Sequence, residues 1–216
     1  MTNLQKRILT SIIVLPFSLF FIIKGGYYLL SFLLLVFFLA NYELFSVFNK
    51  KSTILFLDLI LILSLSSIFY LAENSDSTFN LLIWVITLSV CSDVGGYVFG
   101  KIFKWKKLTK ISPKKTFSGV LGSFIFSIFS LFIVNNLKIN GSESLNFLEI
   151  KYFFIAIIFS LVVQLGDLTI SYFKRLEKIK DTGKILPGHG GIFDRIDGLM
   201  FLLIFTVVFF KINIIP

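Results

Sequence analysis

FSGVLGSFIFSIFSLFIVNNL, residues 117–137, decides the fold, because it runs 21 residues without one ionisable side chain. A helix crossing the hydrocarbon core of a bilayer needs about 20 consecutive apolar residues. The run is continuously apolar and does not alternate, so a helix is indicated and a barrel strand is not. On the same ruler six further spans appear: Ile8–Ile23, Tyr27–Phe48, Thr53–Ala72, Phe79–Phe103, Tyr152–Leu176 and Ile192–Ile215. Lys6 and Arg7 precede the first, and no small-residue cleavage site follows before Lys24-Gly25-Gly26, so it reads as a span and not as a cleaved leader. The expected fold is all-α, a polytopic membrane bundle of about seven helices forming one domain over residues 1–216.

Composition agrees. Apolar types make up 56% of the chain, 15% of residues are charged, and mean hydropathy is +0.90, leaving too little polar surface for a soluble domain. The formal charge of +9 could point to nucleic acid, but the cations fall in short loops between apolar runs, so no nucleic-acid partner is expected. With the N-terminus inside, one face holds seventeen Lys and Arg and the other only Lys24, Lys138, Lys151 and Lys211. By the positive-inside rule the N-terminus is cytoplasmic, as expected for a multi-pass protein of the cell's inner membrane. Cys91 is the single cysteine, so no intrachain disulfide forms, and its apolar flanks suit inert packing.

Ionisable groups at membrane depth are costly unless paired, hydrated or metal-bound, which makes each a functional candidate. Asp93 and Asp167 lie in the inner halves of two spans, Asp93 about ten residues or some 15 Å from its span's end. Asp194 and Asp197 open the last span and share a helix face at i,i+3, with Arg195 between them. Asp167 and Ser171 are i,i+4 and present a carboxylate and a hydroxyl together. Four carboxylates from three helices can therefore converge near the inner leaflet. The plain alternative, that they pair with Lys or Arg and hold the bundle, weakens with four on one side. Glu43 and Asp58 lie near inner helix ends, where they are expected to reach water. Gly95 and Gly96, like Gly119 and Gly122, allow helix backbones to approach closely.

Two loops flank these carboxylates. Lys101–Thr116 carries seven lysines and no acidic residue, most of which the positive-inside rule and attraction to anionic lipid explain. Within it Ser112-Pro113-Lys114-Lys115-Thr116, a Pro-fixed turn with two cations and a hydroxyl just before a helix start, suits a phosphate. The second loop is SYFKRLEKIKDTGKILPGHGGIFDRID, residues 171–197. It contains the single histidine, His189, among three glycines, and leads into the aspartate pair. Glycine-rich backbone beside a helix start lets N–H groups approach an anion, and carboxylates beside cations make sense if hard divalent ions bridge them to phosphate oxygens. By type alone His189 could equally be an ordinary loop histidine.

At these residues the chain closely resembles the CDP-diglyceride synthetase, or phosphatidate cytidylyltransferase, family. That family's signature has the form S-x-x-K-R-x4-K-D-x-G-x2-L-P-x-H-G-G-x-x-D-R-x-D, and Ser171 to Asp197 fit every fixed position. The resemblance extends back through Gly166-Asp167 and Ser112–Thr116 to Asp93 and Tyr97, so residues 91–216 are expected to form the catalytic region and 1–90 to supply N-terminal spans. The chain departs from the family at Lys101, where Arg is usual, and at Ser118, where Glu is common. Its shorter length is expected to fall on the N-terminal spans.

The resemblance implies transfer of a cytidylyl group from CTP to phosphatidic acid, giving CDP-diacylglycerol and pyrophosphate. It implies that Asp167 and Asp194 are metal ligands, with Asp197 and Asp93 as further candidates. It implies that Lys114, Lys115 and Thr116 bind phosphate of CTP or lipid, and that Lys174, Arg175, His189 and Arg195 hold the triphosphate, with Ser171 beside Asp167. The implied metal is Mg²⁺, with a second, monovalent cation and a homodimer suggested by the family alone. Rival readings are a CTP-dependent kinase of a lipid alcohol and an ion-coupled transporter. The transporter would be expected to show repeat symmetry and polar residues at the midplane, and here the polar groups lie inward.

Overall fold

The computed structural model describes residues 3–109, 112, 115–137, 146–183, 185–188 and 190–215, with side chains described for Thr10 and from residue 12 onward. Seven α-helices make up its regular structure among the described residues: α1 (Asn3–Lys24), α2 (Gly26–Val47), α3 (Lys51–Glu73), α4 (Asp76–Phe103), α5 (Phe117–Leu137), α6 (Ile150–Leu176) and α7 (Phe193–Lys211). The protein is thus an all-α polytopic membrane bundle. Helices α2 to α6 are long and apolar enough to cross a bilayer. In α7 the charged residues Asp194, Arg195 and Asp197 crowd the first turns, and its 19 residues span about 28 Å. Pro16 interrupts the hydrogen-bond ladder of α1.

Helix ends follow local chemistry. Gly25 and Gly26 both take positive φ (63° and 52°), which breaks α1 from α2. Ser75 and Thr78 form a reciprocal capping box at the start of α4, each satisfying an N–H the helix leaves open. The expected α7 overshoots: the helix stops at Lys211, and Asn213 with φ 57° turns the chain although its composition stays apolar.

Contacts between connections sort the molecule into two ends. At one, Thr10 Oγ1 donates to Pro187 O (2.9 Å), and Asn49 Nδ2 in the α2–α3 turn donates to Glu177 Oε2 (3.1 Å). At the other, Gly26 N in the α1–α2 turn donates to Glu73 Oε1 (2.6 Å) beside the α3–α4 turn. Both basic loops therefore belong to the same end as the N-terminus of α1.

Packing of α4 on α5 is the closest in the bundle, and glycine is its cause. A Cβ on Gly95 would run into the carbonyl oxygen of Gly122, and one on Gly119 would lie 2.9 Å from Gly96 O. Small residues let two helices touch backbone to backbone, where dispersion contacts replace the hydrophobic driving force that lipid removes. Ser123 Oγ donates to Ser92 O across this seam (2.8 Å), and Ser92 and Ser160 hydroxyls bond α4 to α6 (2.8 Å). Towards the far end, Trp84 stacks on Phe159 (5.5 Å, 27°) and donates Nε1–H to Ser130 Oγ (3.2 Å), fixing α4, α5 and α6 together. Gly198 on α7 faces Val163 on α6, with 2.9 Å from its would-be Cβ to Val163 O. The result is a rigid frame that sets α4, α5, α6 and α7 around one space at the end that carries the basic loops.

Candidate active site

That space is a cavity of about 400 Å³ lined from four helices and two loops. α4 contributes Asp93, Gly96 and Tyr97; the loop leading into α5 contributes Lys115 and Thr116, and α5 itself Gly119 and Ser123; α6 contributes Gln164, Asp167 and Lys174; α7 contributes Asp194, Arg195 and Asp197. Asp181 reaches it from the α6–α7 loop. Eight of the site residues expected from the sequence thus share one cavity: Asp93, Lys115, Thr116, Asp167, Lys174, Asp194, Arg195 and Asp197. The volume lies within the roughly 300–1,000 Å³ usual for small-molecule sites.

Cation–carboxylate pairs organise the walls. Lys115 Nζ meets Asp167 Oδ2 at 2.6 Å and donates also to Gln164 O at 3.3 Å. Ser171 lies outside the lining, and its hydroxyl donates to the other oxygen of Asp167 (3.2 Å), as the i,i+4 spacing led one to expect. Lys174 reaches both α7 aspartates, at 2.8 Å to Asp194 Oδ1 and 3.8 Å to Asp197 Oδ2. Lys174 and Asp194 are nearly excluded from solvent, with side chains 8% and 4% exposed. Asp194 Oδ2 accepts the backbone N–H groups of Thr182 (2.8 Å) and Gly191 (3.0 Å), so one carboxylate ties α6, the loop and α7 together.

The α6–α7 loop is shaped by its glycines. Leu186 and Gly190 exchange backbone hydrogen bonds (2.9 and 3.2 Å) in a tight reversal, and Gly188 and Gly190 take φ of 79° and 92°. L-residues rarely adopt these angles, so the glycines are needed for the turn. In the α4–α5 loop, Lys107 pairs with Thr116, and Leu108 N donates to Lys115 O (2.8 Å), forming a short hairpin that carries Lys115 to the cavity.

Some expected residues sit differently. Arg175 is exposed and outside the cavity lining; its guanidinium donates to Ile179 O (2.6 Å), holding the chain as it leaves α6. Thr116 lines the cavity, but its hydroxyl oxygen accepts from Gly119 N (3.1 Å) and so caps α5. Lys114 and His189 lie outside the described residues. Asp181, a further carboxylate of the lining, was hidden among the basic residues of its loop.

Glu43 corrects the expectation that it reaches water, whereas Asp58 is only half-buried. Glu43 is 1% exposed and accepts N–H groups from Ile192 and Phe193 at 3.0 Å each. Asp58 keeps its Oδ1 buried without a hydrogen-bond partner among the described residues. Their nearness to a helix end was legible in sequence. The loop that folds back over Glu43, some 150 residues along the chain, was not.

The donor set bears on an implied metal. Among the described residues no three Asp, Glu, His or Cys side chains stand together at metal-binding spacing, and the ammonium groups of Lys115 and Lys174 lie between the carboxylates. Yet the described lining carries five carboxylates (Asp93, Asp167, Asp181, Asp194, Asp197) against three cations (Lys115, Lys174, Arg195), an excess of two negative charges. Asp93, Asp167 and Asp197 are near enough to repel one another. Oxygen-only donors with surplus negative charge are what a hard divalent cation prefers, so the residues fit such an ion.

Comparison with known proteins gives a consistent result. Residues 48–213 match the cytidylyltransferase family. A Rickettsia conorii protein named phosphatidate cytidylyltransferase is 35% identical, the match covering 99% of this chain and 92% of that protein. A Rickettsia bellii protein of the same name is 33% identical over 97% of this chain and 90% of its own length. A Helicobacter pylori protein, again so named, is 40% identical over 56% of this chain, and there the match spans 43% of the relative's length.

Proposed function

The chain belongs to the cytidylyltransferase family, and from that premise we propose that it is a phosphatidate cytidylyltransferase, joining CMP from CTP to phosphatidic acid to give CDP-diacylglycerol and pyrophosphate. The observation that carries the reading is a polar cavity at one end of an apolar bundle, lined by aspartates of three helices and by Lys115, Lys174 and Arg195. One substrate is water-soluble and the other is held by its acyl chains, so the reaction belongs where a membrane meets water. The excess of Lys and Arg on the cavity's end supports a cytoplasmic site in a bacterial inner membrane.

In the reaction, an oxygen of the phosphatidate phosphate forms a bond to the α-phosphorus of CTP, and the bond from that phosphorus to the bridging oxygen of the β-phosphate breaks. Pyrophosphate departs with the electron pair. Phosphatidate is already ionised near neutral pH, so no side chain need remove a proton. The barrier lies in bringing two anions together in line, which positioning and charge stabilisation lower. Lys115 and Lys174, paired with carboxylates here, can exchange those partners for phosphate oxygens. Arg195 lies on the same wall, with a guanidinium fork suited to phosphate. The frame of α4 to α7 keeps these groups in register.

Magnesium, held by Asp167 and Asp194 with Asp197 and Asp93 alongside, would neutralise phosphate oxygens in this cavity. The surplus of carboxylates supports that assignment. Lys114, His189 and a monovalent cation are carried forward from the resemblance as further phosphate-site components, and so is a homodimer, which crosslinking in native membranes tests. Arg175 enters as an organiser of the loop through Ile179. The deciding experiment incubates purified protein with CTP labelled in its cytosine ring, phosphatidate and Mg²⁺, then extracts lipid. Label in the lipid phase supports the proposal; label confined to water, with only phosphate moved to lipid, would identify a kinase.

A further inference from the structure

Glu43 lies on α2, outside both the matched stretch 48–213 and the cavity lining, yet it is one of the most enclosed ionisable groups in the chain, 1% exposed. Removing a carboxylate from water is costly unless hydrogen bonds or charge replace its hydration. Here the replacement is the start of α7. Oε1 accepts Ile192 N–H and Oε2 accepts Phe193 N–H, both at 3.0 Å, and the Thr182 hydroxyl approaches Oε2 at 3.5 Å. Those N–H groups are among the donors a helix start leaves open, and the positive end of the helix dipole adds to the attraction. α7 has no capping side chain of its own. Glu43 supplies the cap from another helix.

The contacts around it are built for this residue. A Cβ on Gly183 would lie 2.5 Å from Glu43 Oε1, and one on Gly191 would collide with Glu43 Oε2. Two loop glycines thus leave room for the carboxylate. On the opposite side of the same loop, Asp194 binds Thr182 N and Gly191 N. The loop is pinned between two carboxylates, one of which faces the cavity. The residue after Phe193 is Asp194, followed by Arg195 and Asp197, and all three line the cavity.

We propose that Glu43 is a positioning residue: by capping α7 from α2 it sets the register of Asp194, Arg195 and Asp197 in the cavity, so the N-terminal helices are part of the catalytic apparatus. This rests on the proposed cytidylyl transfer for its kinetic consequence, and on geometry alone for its structural one. A displacement of about 1 Å in groups that orient reacting phosphates can lower turnover by about a hundredfold.

The test uses full-length protein in nanodiscs, with Glu43→Gln and Glu43→Asp. Gln keeps the shape but places an NH₂ group against one of the two N–H donors; Asp keeps the charge on a shorter arm. For Glu43→Gln, kcat falls by about tenfold or more, while KM for phosphatidate stays within about threefold, because the lipid does not touch Glu43. Amide exchange over residues 185–197 speeds up by about tenfold, while exchange in α5 stays as in the parent protein. Glu43→Asp falls between parent and Gln in both measurements. Unchanged exchange over 185–197 in Glu43→Gln would overturn the proposal, and so would acceleration spread evenly through all helices. Should the parent protein make no CDP-lipid, the function reading fails, and the exchange measurement still decides the role of Glu43.

Discussion

Replacing Lys174 with Met removes the cation that the two α7 aspartates share. Asp194, 4% exposed, would lose its charged partner at 2.8 Å and, among the described residues, keep the N–H groups of Thr182 and Gly191. Asp197 would lose its interaction at 3.8 Å, leaving two carboxylates one helical turn apart with less to offset their repulsion. Breaking a buried pair from one side costs about 3–5 kcal/mol, because the remaining charge stays desolvated. Against a typical total stability of about 5–15 kcal/mol, that is about a fifth or more. Replacing both partners removes the penalty at its source, so Lys174→Met with Asp194→Asn should be less destabilised than the two single changes together, by about 1–3 kcal/mol. The assay is reversible unfolding in mixed micelles, followed by tryptophan fluorescence, for parent, singles and double. If Lys174→Met lay within about 0.5 kcal/mol of the parent, or the two changes simply added, the buried pair could not be the clamp described here.

Further expectations concern separate parts of the structure. Asp194→Asn should abolish turnover while the protein still inserts and folds; near-normal CDP-lipid formation by this variant would remove its assigned role. Gly122→Leu should force α4 from α5, since even a Cβ at this position meets Gly95 O, and cost at least about 1–3 kcal/mol in the same unfolding assay. Thr116→Ala should lose the cap on Gly119 N, at about 1 kcal/mol, with Thr116→Ser recovering most of it. Activity should vanish in excess chelator and return with Mg²⁺; full activity with chelator present would contradict a divalent requirement.

Much of the fold could be read from sequence because a bilayer imposes length and polarity together. The run 117–137 is bounded by Thr116 and Lys138, and its helix starts at Phe117 as expected. Where the boundary is conformational the reading slipped: α1 extends back through the polar stretch Asn3–Arg7, and α7 stops before its apolar composition does. The cavity was legible for the same reason, since Asp93, Asp167, Asp194 and Asp197 stand out against apolar helices. Thr116 and Arg175 show the limit of reading by residue type: both suit phosphate, and local backbone groups claim them, Gly119 N for one and Ile179 O for the other. Glu43 shows a different limit. Its partners lie 149 and 150 residues away, and nothing in the spacing along α2 announces that a loop will close over it.

Carboxylates of separate helices share one cavity, and under the proposed function CTP and a divalent ion bind there together. Mn²⁺ binding followed by electron paramagnetic resonance, with and without CTP, tests it most directly in the parent protein and in Asp167→Asn and Asp197→Asn. Binding should be tight, CTP should strengthen it, and each substitution should weaken it by about tenfold or more. Equal Mn²⁺ binding by parent and variants in the presence of CTP would contradict it.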